Sequence, residues 1–178
     1  MIFTPAALAG VWLVDLEPRR DPRGHFARSF CAEEFATHGL PRNFVQCNVS
    51  CNTRRGTLRG LHWQGEPHGE GKLVRCTRGA IFDVAVDLRP ASPTRHRWLG
   101  VELTAMNGRA LYIPAGFAHG FQTLADDSEV FYQMTEAYHG DLVRGARWDD
   151  PAFGIVWPLP APILSERDLG HPPVTAPT

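Results

Sequence analysis

Short apolar runs rich in Val, Ile, Phe and Tyr recur along the chain between polar turns: VWLVDL, FVQCNVS, KLVRC, AIFDVAVDL, WLGVELT, ALYIPA, HGFQTL and EVFYQMT. Runs of this length and composition predict strands. Gly and Pro, 17 and 15 residues, supply the punctuation in DPRG, RRG, TRGA, MNGR and PAGF, where turns need their backbone conformations. Only CAEEFATHGL has helix-forming composition, with Gly39 where the helix would end. The pattern predicts an all-β sandwich or barrel, and a jelly roll suits a chain of 178 residues. One domain is expected over residues 1–170, followed by a proline-rich tail from His171, HPPVTAPT, expected to be disordered or extended.

Composition narrows the function classes. At 43% hydrophobic and 21% charged, the chain can fill one core. Its net charge of -1 and pI near 6.7 give no bulk attraction to nucleic acid or to an anionic membrane. An anionic ligand must then be held by a local cluster. No apolar run has spanning length, and MIFTPAALAGVWLVDLEPRR lacks the basic start and long apolar centre of a secretory signal. A cytoplasmic protein is expected. Cys31, Cys47, Cys51 and Cys76 form no CxxC pair, so free thiols are expected.

One basic residue stands apart: Lys72 is the only lysine, although lysine and arginine together number 18. If KLVRC is a strand, Lys72, Val74 and Cys76 share one face, with Leu73 and Arg75 on the other. A lysine here either discourages edge pairing or points into a barrel mouth. Arginine at every other basic position favours the second, because a compact ammonium suits charge developing on a single oxygen. His62, in RGLHWQ, is expected on the same strand face as Gly60 and Gln64. Taken singly, His62 reads as a core histidine, Tyr132 as strand packing and Asp168 as a turn residue. Together with Lys72 they supply the parts for proton abstraction beside a carbonyl: a base, a carboxylate to orient it, a cation at the oxygen that becomes an enolate, and an acid.

DPRGHFARSF, QCNVS, GTLRGLHWQ, KLVRCTRGAIFDVAVDLRPASPT, YIPAGFAHGF, EVFYQMTEAY, RWDDPAFGIVWPL and ILSERD follow one another in the chain. In that order they resemble the dTDP-4-dehydrorhamnose 3,5-epimerase family over nearly all of the sequence before the tail. The resemblance implies a cupin-like jelly roll that forms a homodimer and needs neither metal nor organic cofactor. It implies His62 with Asp168 as the base dyad, Lys72 near the sugar keto oxygen and Tyr132 as general acid. Arg59 and His119 match positions lining the same pocket, and Gln46 and Asn48 match polar ligand contacts. Arg23 and Phe26 match an arm that reaches the neighbouring subunit's site, and Tyr138 matches the position opposite that aromatic ring. Arginine suits a diphosphate and an aromatic ring suits a base. The implied reaction turns dTDP-4-dehydro-6-deoxyglucose into dTDP-4-dehydro-L-rhamnose by epimerisation at C3, C5 or both. Arg28, Glu70, Gln133 and Trp63 depart from the family's commoner residues, and Arg28 beside the arm bears on which nucleotide is preferred.

Other readings of the same residues remain. A single-centre epimerase, or a keto-isomerase acting on a CDP-linked or other nucleotide sugar, would carry the same motifs. A metal-dependent cupin is favoured by Pro114, Gly116 and His119, which fit PxGxxH. Gln64 stands where that class needs a histidine, so the ligand set is incomplete and no metal is expected. A silent sugar-nucleotide binding module would need mainly the arginines and aromatics. The presence of His62, Lys72, Tyr132 and Asp168 together favours an enzyme.

Overall fold

The computed structural model describes residues 1–174. Its strands are β1 (Ile2–Pro5), β2 (Trp12–Asp15), β3 (Arg19–Asp21), β4 (Gly24–Phe26), β5 (Gln46–Asn52), β6 (Leu58–Gln64) and β7 (Lys72–Arg78). They continue as β8 (Ala80–Asp87), β9 (Trp98–Thr104), β10 (Ala110–Ile113), β11 (Phe117–Thr123), β12 (Ser128–Met134) and β13 (Val143–Gly145). Two short helices accompany them, α1 (Ala32–Thr37) and α2 (Glu166–Leu169). One sheet runs β1-β2-β10-β7-β12-β5, the other β13-β6-β11-β8-β9, and β3 and β4 form a separate hairpin. Every strand pair is antiparallel. This is the jelly-roll arrangement the strand pattern predicts, and all eight apolar runs contribute strands.

The period-2 alternation of each strand builds three apolar layers. Val74, Leu111 and Val130 of the six-stranded sheet meet Ile81, Leu103 and Phe121 of the other sheet in the central core. Leu73, Ala110 and Tyr112 point out from the six-stranded sheet and pack under Phe35 of α1. Leu61, Val84 and Val86 point out from the five-stranded sheet and pack under Ala146 and Phe153. With both faces covered, β8 reads as an almost unbroken apolar run. Each fully buried Leu, Ile or Phe stabilises the fold by about 1.5–3 kcal/mol. Lys72 shares the inward face with Val74 and Cys76, as strand alternation predicts.

β6 breaks its own alternation. Residues 59 and 61 of a regular strand share a face, yet Leu61 packs outward while Arg59 lines the same inner cavity as His62. The switch is at Gly60, whose φ is +126°, and β11 answers with a register shift between His119 and Phe121. There the two backbones touch: a Cβ on Gly60 would sit 2.6 Å from the Gly120 Cα and 2.8 Å from the His119 carbonyl oxygen. Only glycine fits both the conformation and the space.

Of the tail, residues 171–174 have no regular secondary structure but make contacts with the body of the fold. The Val174 N–H donates to the buried Asp150 carboxylate at 2.6 Å, and the His171 ring lies against Gly145. The rest of the segment expected to be loose, 175–178, lies outside the described residues. Among the described residues no helix is long and apolar enough to cross a membrane. The four cysteines are free thiols.

Candidate active site

A cavity of about 540 Å³ opens between the two sheets. The five-stranded sheet supplies Arg59 and His62 from β6 and His119 from β11, while the six-stranded sheet supplies Asn48 from β5, Lys72 from β7 and Tyr132 from β12. His119 is the cross-strand partner of His62, and Asn48 that of Tyr132. Asp168 arrives from neither sheet: it sits on α2, a single turn in which the Ser165 hydroxyl caps the Asp168 N–H at 3.1 Å. The sequence reading of Asp168 as a turn residue is thus half right, since the turn is helical and its cap aims the carboxylate inward.

His62, Lys72, His119 and Arg59 in the cavity wall each have a partner. His62 Nε2 lies 2.6 Å from Asp168 Oδ1, and the Asp168 side chain is 6% exposed. Burial pushes the Asp168 carboxyl up, but the hydrogen bond and charge of His62, with the Ser165 hydroxyl, outweigh it and hold the pKa below the usual carboxylate range. When the imidazole is neutral, the ionised Asp168 holds its one ring proton on Nε2. The free lone pair of the ring is then on Nδ1, which makes no hydrogen bond within the described residues. Lys72 Nζ pairs with Glu70 Oε1 at 2.8 Å, their side chains 8% and 10% exposed. An ammonium has three N–H donors, so two remain for a ligand. His119 Nε2 meets Asp83 Oδ1 at 2.7 Å, leaving Asp83 Oδ2 buried without a partner. Arg59 Nε donates to Asn52 Oδ1 at 2.7 Å.

Tyr132 stands edge-on to His119, with ring centres 5.9 Å apart. Burial is the main cause that drives its phenol pKa far above the ordinary tyrosine value, helped by the Asp83 charge and opposed by Arg59 and Ser50. The hydroxyl stays protonated at every working pH.

Other expected site residues lie further out. Gln46 and Tyr138 line a smaller adjoining pocket of about 200 Å³ that shares Asn48 and His62 with the main cavity. The Gln46 amide oxygen accepts from the Tyr138 N–H at 3.1 Å. Arg23 and Phe26 line neither pocket: they ride the β3–β4 hairpin, with Arg23 held by Asp21 and Phe26 75% exposed. Gln64, at the position where a metal cupin needs a ligand, is spent on structure. Its amide group bonds the backbone of His68, Ala137 and His139 and so clamps two loops. Arg28 is paired with Glu34 at 2.6 Å. Sequence reasoning missed Asp83, Ser165 and His171, and noted Glu70 only as a departure. Asp83 had a signal, a carboxylate inside an apolar strand, which demands a buried partner.

The comparisons with known proteins agree with the fold. The family model described as dTDP-4-dehydrorhamnose 3,5-epimerase matches residues 5–176. A Sinorhizobium fredii dTDP-4-dehydrorhamnose 3,5-epimerase is 46% identical over 173 residues, spanning 97% of this chain and 89% of the relative. A Streptomyces niveus dTDP-4-dehydrorhamnose 3-epimerase is 39% identical over 169 residues, 94% of this chain and 81% of the relative. The crystal structure of the Bacillus anthracis 3,5-epimerase with TDP and PPi bound superposes with a TM-score of 0.95 at 40% identity, covering 97% of this chain and 99% of that one.

The burial of Tyr132 has a direct test by ultraviolet titration. Burial also pushes the Tyr112 phenol up to about 12. A phenol with a raised pKa stays protonated as pH climbs through the ordinary tyrosine value of about 10. Native protein and Tyr132→Phe should therefore give equal tyrosinate absorbance up to about pH 11, and differ by one tyrosine only after unfolding. One extra tyrosinate in the folded parent protein at that pH would contradict the buried placement.

Proposed function

The chain belongs to the dTDP-4-dehydrorhamnose 3,5-epimerase family, and from that premise we propose that it epimerises dTDP-4-dehydro-6-deoxyglucose to dTDP-4-dehydro-L-rhamnose, acting in the cytoplasm through an enolate. What carries the reading is the 2.6 Å His62–Asp168 contact in a cavity whose other sheet bears Lys72 and Tyr132. His62 Nδ1 removes the proton beside the sugar keto group. Asp168 holds the ring in the reactive tautomer and stabilises the imidazolium that forms. Negative charge moves onto the keto oxygen, where the free N–H donors of Lys72 meet it. Tyr132 returns a proton from the opposite face and so inverts the centre. Arg59, His119, Asn48 and Gln46 hold the sugar and the diphosphate. All of these groups are side chains, so the mechanism calls on no metal or organic cofactor.

The exposed hairpin carrying Arg23 and Phe26 supports a homodimer in which this arm crosses to the partner's site. Arginine there meets the diphosphate, and Phe26 faces Tyr138 across the nucleotide base.

Proton NMR of the sugar in deuterated water reads the first step. Loss of both the C3 and C5 signals is the expected result. Loss of C3 alone would make this a single-centre enzyme, the activity for which the Streptomyces niveus relative is named. His62→Asn should exchange neither proton, with turnover reduced at least ~100-fold and ligand binding within a few fold of the parent; surviving exchange would remove His62 as the base. Lys72→Arg keeps the charge but spreads it over a planar head, so kcat should fall roughly 100-fold. Near-normal turnover would mean that any cation suffices.

The arm is tested by mixing two inactive proteins, His62→Asn and Arg23→Ala, under conditions of subunit exchange. If the arm serves the partner's site, each mixed dimer holds one intact site, and activity returns to about a quarter of the parent value. No recovery between exchanging subunits would place Arg23 in its own chain's site.

A further inference from the structure

Asp168 has a second histidine neighbour that the mechanism does not use. His171 follows α2 by one turn of chain, and its Nε2 lies 3.7 Å from Asp168 Oδ1. Its side chain is 14% exposed, and Nε2 is buried with no hydrogen-bond partner among the described residues. The ring is seated against Gly145 of β13, the cross-strand partner of His62, where any Cβ would collide with it. One ligand atom from each of His62, Asp168 and His171 falls within 4.8 Å of the others.

We propose that these three residues form a binding site for a divalent first-row transition ion of the zinc class, and that the ion switches the enzyme off. The two imidazoles supply the directional argument. A coordinated ion lies close to the plane of each ring, so two rings can share one only if their planes intersect near it. His62 and His171 are tilted 73° to each other with centres 5.6 Å apart. Two imidazoles bound to one zinc at about 2.0–2.1 Å have their centres roughly 5 Å apart. Closing the His171–Asp168 distance and opening the His62–Asp168 distance by fractions of an ångström completes the set, two nitrogens and a carboxylate oxygen.

A second cluster, His68, Glu136 and His139, fails the same criterion. Its histidine rings are stacked 3.9 Å apart and only 14° from parallel, so their planes meet far beyond coordination distance of either ring.

The inhibitory consequence comes from proton bookkeeping on His62. In the free protein the ring proton is on Nε2, facing Asp168, and Nδ1 is the base. An ion on Nε2 takes that nitrogen's lone pair, and the ring's one proton moves through solvent to Nδ1. The imidazole stays neutral, no net proton is lost, and the nitrogen that removed substrate protons is already occupied. Inhibition rests on the role proposed for His62 above; the site itself does not.

Cobalt(II) separates the two. The full-length protein should bind one equivalent and show the visible d–d bands of a four- or five-coordinate site. His171→Gln, His62→Asn and Asp168→Asn should each weaken this at least ~10-fold, and His68→Ala should not. These spectra need no turnover, and circular dichroism checks that each variant is folded. In the exchange assay, zinc should stop the parent protein, while His171→Gln keeps metal-free turnover and needs at least ~10-fold more zinc for the same loss. Absence of cobalt bands up to about 1 mM ion, unchanged affinity in a folded His171 variant, or loss of binding in His68→Ala would each overturn the proposal. Cobalt bands with full activity in the loaded enzyme would overturn the inhibition and, with it, the assignment of Nδ1 as the base.

Discussion

Charge placed between two apolar sheets is tolerated only where it is paired, because an isolated ion in that environment loses several kcal/mol of hydration. The cavity of this protein obeys that constraint at three buried carboxylate pairs. His62 answers to Asp168, Lys72 to Glu70 and His119 to Asp83, at 2.6, 2.8 and 2.7 Å. None of the three pairs is there for stability alone, since apolar residues of similar size would fill the space at less cost. Each carboxylate instead sets the direction of one functional group. Asp168 holds one nitrogen of an imidazole that lines the cavity, and Glu70 anchors an ammonium that still has donors to spare.

The two sheets divide the work because each can hold its own geometry. β6 and β11 fix the base side, locked by the backbone contact at Gly60 and Gly120, while β7 and β12 fix the cation and the phenol. In the proposed reaction the sugar sits between these two walls, with the base on one and the oxyanion donors on the other.

Much of this was legible before the structure. Length and composition identified the eight apolar runs as strands, and strand alternation placed Lys72 inward beside Val74 and Cys76. It failed at β6, because a period-2 reading assumes an unbroken strand. The φ of Gly60 resets the phase, and that is how Arg59 joins His62. The partners were also invisible: nothing in a list of residues says that Asp83 meets His119 or that Asp168 meets His62 across 106 positions. The motif resemblance supplied the second pairing, and only coordinates supplied the first. Arg23 and Phe26 illustrate the opposite case. Their types suit a nucleotide, yet within one chain they lie on an exposed hairpin away from the cavity. Of the hairpin only the turn was signalled, by DPRG, since its two three-residue strands, RRD and GHF, carry no apolar run.

The carboxylate proposed to activate His62 comes from α2, outside both sheets and joined to them by a long irregular segment after β13. The scaffold and the group that sets its chemistry are therefore separable modules. Drift in the residues around Ser165 and Asp168 can retune the strength of the base, or silence it, without repacking a single strand. A family built this way can diversify its reactions while its architecture stands still.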